Sequence, residues 1–275
     1  MKDHCKEIIA IGDIHGRRCW EEIVKRHPDA HFVFLGDYCD PYDNFSQKAL
    51  LENLNRIIEL KRSHTEQVTL LLGNHDLHYF VPGFPMGSRY DRNIAKALQQ
   101  IFTTERELFA YAYETGNLLF THAGISQGWL DACWKLPFLP SLAQCLNHPE
   151  NMEDKGTALY TCGPGRMGPD PAGGIFWADE EELEIVPTGV IQIVGHNGMN
   201  AIRHIHSRSA EKNVMADLLI CDCLEKFRYL RIELTNEEKY GFYEMNLRKK
   251  TSKFLFEANQ TKEVLHNVDI SYKKT

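Results

Sequence analysis

A chain of 275 residues with 43% hydrophobic and 25% charged residues has the make-up of a folded globular protein, which excludes a fibrous or disordered one. Its net charge of −7 comes without a basic stripe, so long DNA or RNA is not an expected partner. No apolar run nears the ~20 residues that cross a bilayer, and the early run Ile8 to Ile11 is too short for a signal peptide, so a cytoplasmic chain with no membrane partner is expected.

The elements alternate along the chain. "EIIAI" (7–11) and "HFVFL" (31–35) are short apolar runs bounded by turn residues and read as buried strands, with a helical pattern at 17–27 between them. Ser46 is placed to cap a helix over 46–62, with Ala49, Leu50, Leu54, Ile57 and Ile58 on one stripe. A strand at "QVTLLL" (67–72) follows, then a helical stretch over 94–114 and a strand at "NLLF" (117–120). From 126 to 175 the pattern breaks into short pieces, with Pro137, Pro140, Pro149 and the Gly/Pro-rich "CGPGRMGPDPAGG" at 162–174; this reads as a cap inserted in one domain spanning 1–275. Strands return at "VIQIV" (190–194) and "DLLI" (217–220), a hairpin joins 227–234 to 241–247, and the polar last ~20 residues are expected to fray. Alternation of strand and helix makes the class α/β. The eight cysteines include no CxxC pair and are expected to be reduced; Cys221 and Cys223 read as small buried residues.

Chemistry is concentrated behind the strands. "IIAIGDIHG" ends in Asp13 and His15, "FVFLGDYCD" in Asp37 and Asp40, "TLLLGNHDLH" in Asn74, His75 and Asp76, "LLFTHAG" in His122 and "IQIVGHNG" in His196. Each motif alone reads equally as a turn carboxylate, a helix cap or a hydrogen-bonded strand-end histidine. Five strand ends in succession bearing Asp, His and Asn are another matter, because loops leaving parallel strands converge on one edge of an open α/β sheet. Asp13, His15, Asp37, Asn74, His122 and His196 are hard to borderline donors suited to Mn, Fe or Zn, and too many for one cation. Two cations sharing one carboxylate would use them all, an arrangement that serves phosphate-ester hydrolysis.

The blocks "GDIHG", "GDYCD", "GNHD", "THAG" and "VGHN", in this order over residues 12–197, resemble the signature of the calcineurin-like metallophosphoesterase superfamily. "FWAD" (176–179) is similar to a block of its phosphoprotein phosphatase branch, "GNHDLH" is similar to bacterial diadenosine tetraphosphate hydrolases, and glycine stands where many members carry a second histidine after "GHN". The resemblance implies a two-sheet β-sandwich flanked by helices. It implies one metal on Asp13, His15 and Asp37 and another on Asp37, Asn74, His122 and His196, with Asp37 as the bridge. It further implies in-line attack on phosphorus by a water or hydroxide between the metals, with His75 protonating the leaving oxygen and Asp40 orienting His75.

The chain departs from the pattern at Pro41, where the related phosphatases and dinucleotide hydrolases usually have a phosphate-gripping arginine. Arg166, Arg89 and Arg203 are candidates to replace it, and Arg166 in the Gly-rich stretch is favoured because that segment can fold over the site. Arg17 is expected to start a helix and face solvent, and Trp177 to pack in the core. Asp76 reads as a structural residue, Cys39 as inward-packing, Asp43 as part of the turn before the next helix, and His78 is given no role. The expected activity is a metal-dependent phosphoesterase acting on a small phosphomonoester or nucleotide. A phosphoprotein is the second substrate choice, and a catalytically silent scaffold is disfavoured because all six ligands and the acid are present.

Overall fold

The computed structural model describes residues 6–133, 141–148, 157–206, 216–235 and 239–260. Its strands are β1 (Glu7–Ile11), β2 (His31–Phe34), β3 (Val68–Leu71), β4 (Phe109–Ala110), β5 (Ala112–Thr115), β6 (Leu118–Thr121), β7 (Ile191–Val194), β8 (Arg203–His206), β9 (Asp217–Ile220), β10 (Arg228–Leu234), β11 (Lys239–Asn246) and β12 (Thr251–Asn259). They form a seven-stranded sheet in the order β12-β11-β10-β1-β2-β3-β4 and a five-stranded sheet in the order β5-β6-β7-β9-β8. Strands β1 to β4 run parallel, as do β6, β7 and β9, while the outer strands are antiparallel.

The sheets pack face to face because each inner strand is apolar on both sides. Ile8, Ala10, Val33, Leu35 and Leu71 of the larger sheet meet Leu118, Phe120, Ile191, Ile193 and Leu219 of the smaller. The alternate residues Ile9, Ile11, Phe32, Phe34 and Leu70 face outward into a second core under the helices. Those helices are α1 (Trp20–Arg26), α2 (Gln47–Ser63), α3 (Asn74–Phe80), α4 (Ala95–Thr104), α5 (Gln127–Ala132) and α6 (Leu142–Asn147). The outer face of the smaller sheet, Val194, Leu218 and Ile220, is covered by Ala123, Ala178, Leu183 and Val186. The result is α/β with two mixed sheets flanked by helices.

Helix α2 forms where its stripe predicts, with Ser46 Oγ accepting the Ala49 N–H at 3.2 Å and Leu50, Leu54, Ile57 and Ile58 buried. Asn53 shares that buried face: its Oδ1 accepts the Trp20 indole N–H at 3.0 Å and its amide donates to the Arg17 carbonyl at 3.3 Å. Asn53→Ala orphans the buried indole N–H, and an expected loss of about 1–3 kcal/mol is measurable by urea unfolding.

One element differs from its expectation. The helix over 94–114 stops at Thr104, and its second half becomes β4 and β5. "FAYAY" satisfies either period, and β4 wins by pairing in parallel with β3, the Leu72 N–H donating to the Ala110 carbonyl at 3.0 Å. Within 126–175, α6 lies against β5: Asn147 Oδ1 accepts the N–H groups of Tyr111 and Ala112, and Glu114 Oε2 accepts the Ala143 N–H. Pro137, Pro140, Pro149 and the polar tail from 261 onward lie outside the described residues. Among the described residues no helix is long and apolar enough to cross a membrane.

Candidate active site

The carboxyl ends of β1, β2, β3, β6, β7 and β9 share one edge of the sandwich, and a cavity of about 470 Å³ opens there. Two glycines let the loops touch. A Cβ on Gly73 would sit 2.1 Å from Asp37 Oδ1, and one on Gly195 would sit 2.2 Å from Asp13 Oδ1. The side chains they admit are buried: Asp13, His15, Asp37, Asp40, Asn74, His75 and His122 are each under 10% exposed, with His196 at the rim. His15, Asp37, Asp40 and His196 all have left-handed backbone, with φ of 43°, 52°, 54° and 63°.

Asp37 is the centre of the cluster. Its Oδ2 lies 3.6 Å from His15 Nε2 and its Oδ1 lies 3.6 Å from His122 Nε2, while Oδ1 also accepts the His75 N–H at 2.9 Å. Donor atoms of Asp13, His15 and Asp37 all fall within 4.8 Å of one another. Asn74 Oδ1 sits 2.9 Å from both His122 Nε2 and His196 Nδ1. The six predicted ligands are therefore neighbours.

The donors fit divalent cations on their hydrogen bonding. His15 Nδ1 donates to the Cys39 carbonyl at 2.9 Å and His122 Nδ1 to the Leu35 carbonyl at 2.7 Å. Burial, the largest influence, lowers the pKa of His15, His122 and His196, so neutral rings are favoured and the first two aim Nε2 lone pairs at acidic or carbonyl oxygens. His196 Nε2 is buried without a hydrogen-bond partner. Lone pairs facing lone pairs are unfavourable until a cation joins them, and an Nδ1–H held by a carbonyl is how metal-binding imidazoles are commonly oriented. Asp13 points the same way: burial, then Asp222 and Asp37, push its pKa well above the carboxylate range. Burial also acts to raise the pKa of Asp37, but the surrounding imidazoles, of which His75 is the one held charged, keep it below the ordinary value.

A second layer surrounds His75. Its Nδ1 lies 3.1 Å from Asp40 Oδ2, and the Tyr79 hydroxyl donates to Asp40 Oδ1 at 2.7 Å. Burial opposes a charge on His75, yet Asp37 and Asp40 together raise its pKa to about 9. His78, given no role from sequence, puts Nε2 2.8 Å from Asp40 Oδ2 but off the line of a hydrogen bond, and its Nδ1 accepts the Gly87 N–H. Asp76 is structural in a way sequence does not display. Its carboxylate accepts the N–H groups of Asp37, Tyr38 and Gly73 at 2.8–3.0 Å, tying the second loop to the third.

Several peripheral expectations change. Arg17 faces the cavity instead of solvent, its side chain 11% exposed and Nη2 3.0 Å from Asp43 Oδ2. Trp177 packs partly on the core but also walls the cavity, edge-on to His196 at 6.1 Å. Of the candidate arginines, Arg166 lines the cavity, bonded to Asp179 and Asn197. Arg89 donates to the Pro41 carbonyl and covers the Tyr42 ring, and Arg203 pairs with Glu180. Asp222, absent from the expected set, lines the cavity after β9, its pKa pushed up to about 7 by burial and then Asp37. Its sequence cue was its place after "LLIC", a sixth strand end without glycine or histidine beside it. Cys39, Cys221 and Cys223 are buried free thiols.

Two mixed sheets with an Asp/His/Asn cluster at their shared carboxyl edge define the metallophosphoesterase architecture. The chain belongs to the calcineurin-like phosphoesterase family, whose sequence profile matches residues 6–232. Members of this family typically bind two metal ions. Among solved structures, the fold is similar to a cold-active protein tyrosine phosphatase, at 16% identity and a TM-score of 0.55, covering 91% of this chain and 78% of that one. It is also similar to a purple acid phosphatase from yellow lupin (Lupinus luteus) seeds, at 10% identity and a TM-score of 0.50. That match covers 93% of this chain and 54% of the lupin one, so this chain spans just over half its length. At such identities the likeness is one of fold.

Proposed function

We propose that the chain hydrolyses a small phosphomonoester or nucleotide, using two divalent cations, with Mn favoured over Fe or Zn. The observation that carries this reading is the convergence of Asp13, His15 and Asp37 beside Asn74, His122 and His196, with imidazole lone pairs uncommitted. Cations held by these six residues would supply positive charge to the phosphoryl oxygens and an acidified water. The cavity volume suits a small ligand. A cytoplasmic setting is consistent with the buried free thiols Cys39, Cys221 and Cys223.

In this reading His75 carries the proton given to the leaving oxygen. Asp40 accepts from Nδ1 and so fixes the ring, and Tyr79 fixes Asp40 in turn. Bound cations would offset the influence of Asp37 on His75, which leaves Asp40 as the main support for its charged form. Arg166 of the Gly-rich 162–174 stretch, with Arg17, grips phosphate in place of the arginine missing at Pro41. Arg166→Ala is expected to raise KM roughly 10–100-fold with a smaller effect on kcat, as for loss of a charged hydrogen bond of about 1.5–3 kcal/mol.

The test is a panel of phosphomonoesters, nucleotides, dinucleoside polyphosphates and phosphopeptides assayed with Mn. Turnover concentrated in the first two groups is the expected result. Preference for phosphopeptides would move the substrate to phosphoproteins, and no turnover with metal bound would leave the scaffold reading.

A further inference from the structure

A second group of metal-capable side chains lies at the other end of the smaller sheet. His204 and His206 stand two apart on β8 and so share a face, and Asp217 on β9 is directly opposite His206 in the antiparallel register. His204 Nε2 lies 2.9 Å and His206 Nδ1 2.8 Å from the same oxygen, Asp217 Oδ1, and the three donors fall within 4.8 Å of one another. The His204 ring is fixed by stacking on Phe256 of β12, with centroids 3.8 Å apart and planes 11° from parallel. β9 runs from Asp217 toward Asp222, so at ~3.3 Å per residue the group is roughly 16 Å along the strand from the catalytic cavity. None of the three residues lines that cavity.

We propose that His204, His206 and Asp217 bind one zinc-class divalent cation, separate from the catalytic pair, that clips the edge strand β8 to β9. Two imidazoles and one carboxylate are a borderline donor set that suits Zn(II) or Co(II) over Mg or Ca. Donors about 2.0–2.2 Å from one tetrahedral ion stand slightly farther apart than the 2.8 and 2.9 Å seen here, so a small outward shift admits the ion. The imidazole ring centroids lie 3.9 Å apart, close enough for one ion to be shared by a nitrogen of each ring. His206, 76% exposed at its side chain, leaves a coordination position open to solvent, while Asp217 at 9% holds the buried side.

The experiment uses the full chain, stripped with chelator and dialysed against ZnCl2, with bound zinc measured by atomic emission and Tm by calorimetry. His206→Gln alters an exposed side chain and is expected to fold, to bind one equivalent of zinc fewer than wild type, and to keep Mn-dependent phosphatase turnover. Asp217→Asn is expected to lose the same equivalent. A zinc-induced rise in Tm is expected in wild type and in Asp37→Asn, and to be lost in His206→Gln. Equal zinc in wild type and folded His206→Gln overturns the proposal and leaves a His–Asp–His hydrogen-bonded cluster. Loss of the equivalent in His206→Gln with its retention in Asp217→Asn also overturns it.

Discussion

Asp37→Asn is expected to lower kcat/KM by roughly 10²–10⁴-fold and to reduce the catalytic metal content. The substitution removes the charge whose two oxygens face His15 on one side and His122 on the other. Breaking a buried charged arrangement by deleting one member costs about 3–5 kcal/mol, and each 1.36 kcal/mol is tenfold in rate. The Asn side chain still offers an acceptor to the His75 N–H, so loop geometry is largely kept and the loss reports on charge. Kinetics over an Mn titration, with metal content measured on the same samples, checks it. A variant within about tenfold of wild type at saturating Mn would remove Asp37 from the centre of the mechanism.

His75→Gln is expected to separate substrates by their leaving groups. General acid catalysis contributes about 10²–10⁴-fold, and that contribution matters most when the departing oxygen is a poor leaving group. Alkyl phosphates should lose most of that factor, while an aryl ester with a stabilised phenolate should lose far less. Asp40 contacts both His75 and Tyr79, so a merely structural role for His75 would depress the two ester types alike. Parallel losses would reject His75 as the acid.

Much of this site was readable because each loop repeats a local rule. An apolar run hides a strand, glycine permits close approach, and the next polar residue must then face its neighbours. Asp13, Asp37, Asn74 and His196 follow that rule, His122 ends its strand directly after Thr121, and their clustering depends on strand direction. What failed depended on partners distant in sequence. Arg17 pairs with Asp43, 26 residues later, and His78 has meaning only beside Asp40, 38 residues earlier. The residues 109–113 allow strand or helix, and the pairing of β4 with β3 decides the matter. Asp222 lacks a neighbouring glycine or histidine, so nothing local distinguished it from a turn carboxylate.

The left-handed backbone at His15, Asp37, Asp40 and His196 bears on how this chain can change. Apart from glycine, the side chains that tolerate that conformation best are Asn, Asp and His, which are also the ones able to hold a cation or pass a proton. Conformational demand and chemical demand thus select the same short alphabet. Drift to glycine would relax the backbone and delete a donor; drift to a bulky or branched residue would strain the turn and delete it too. At these four positions neutral variation has almost nowhere to go, whereas Pro41 and Arg166 are free of that double constraint.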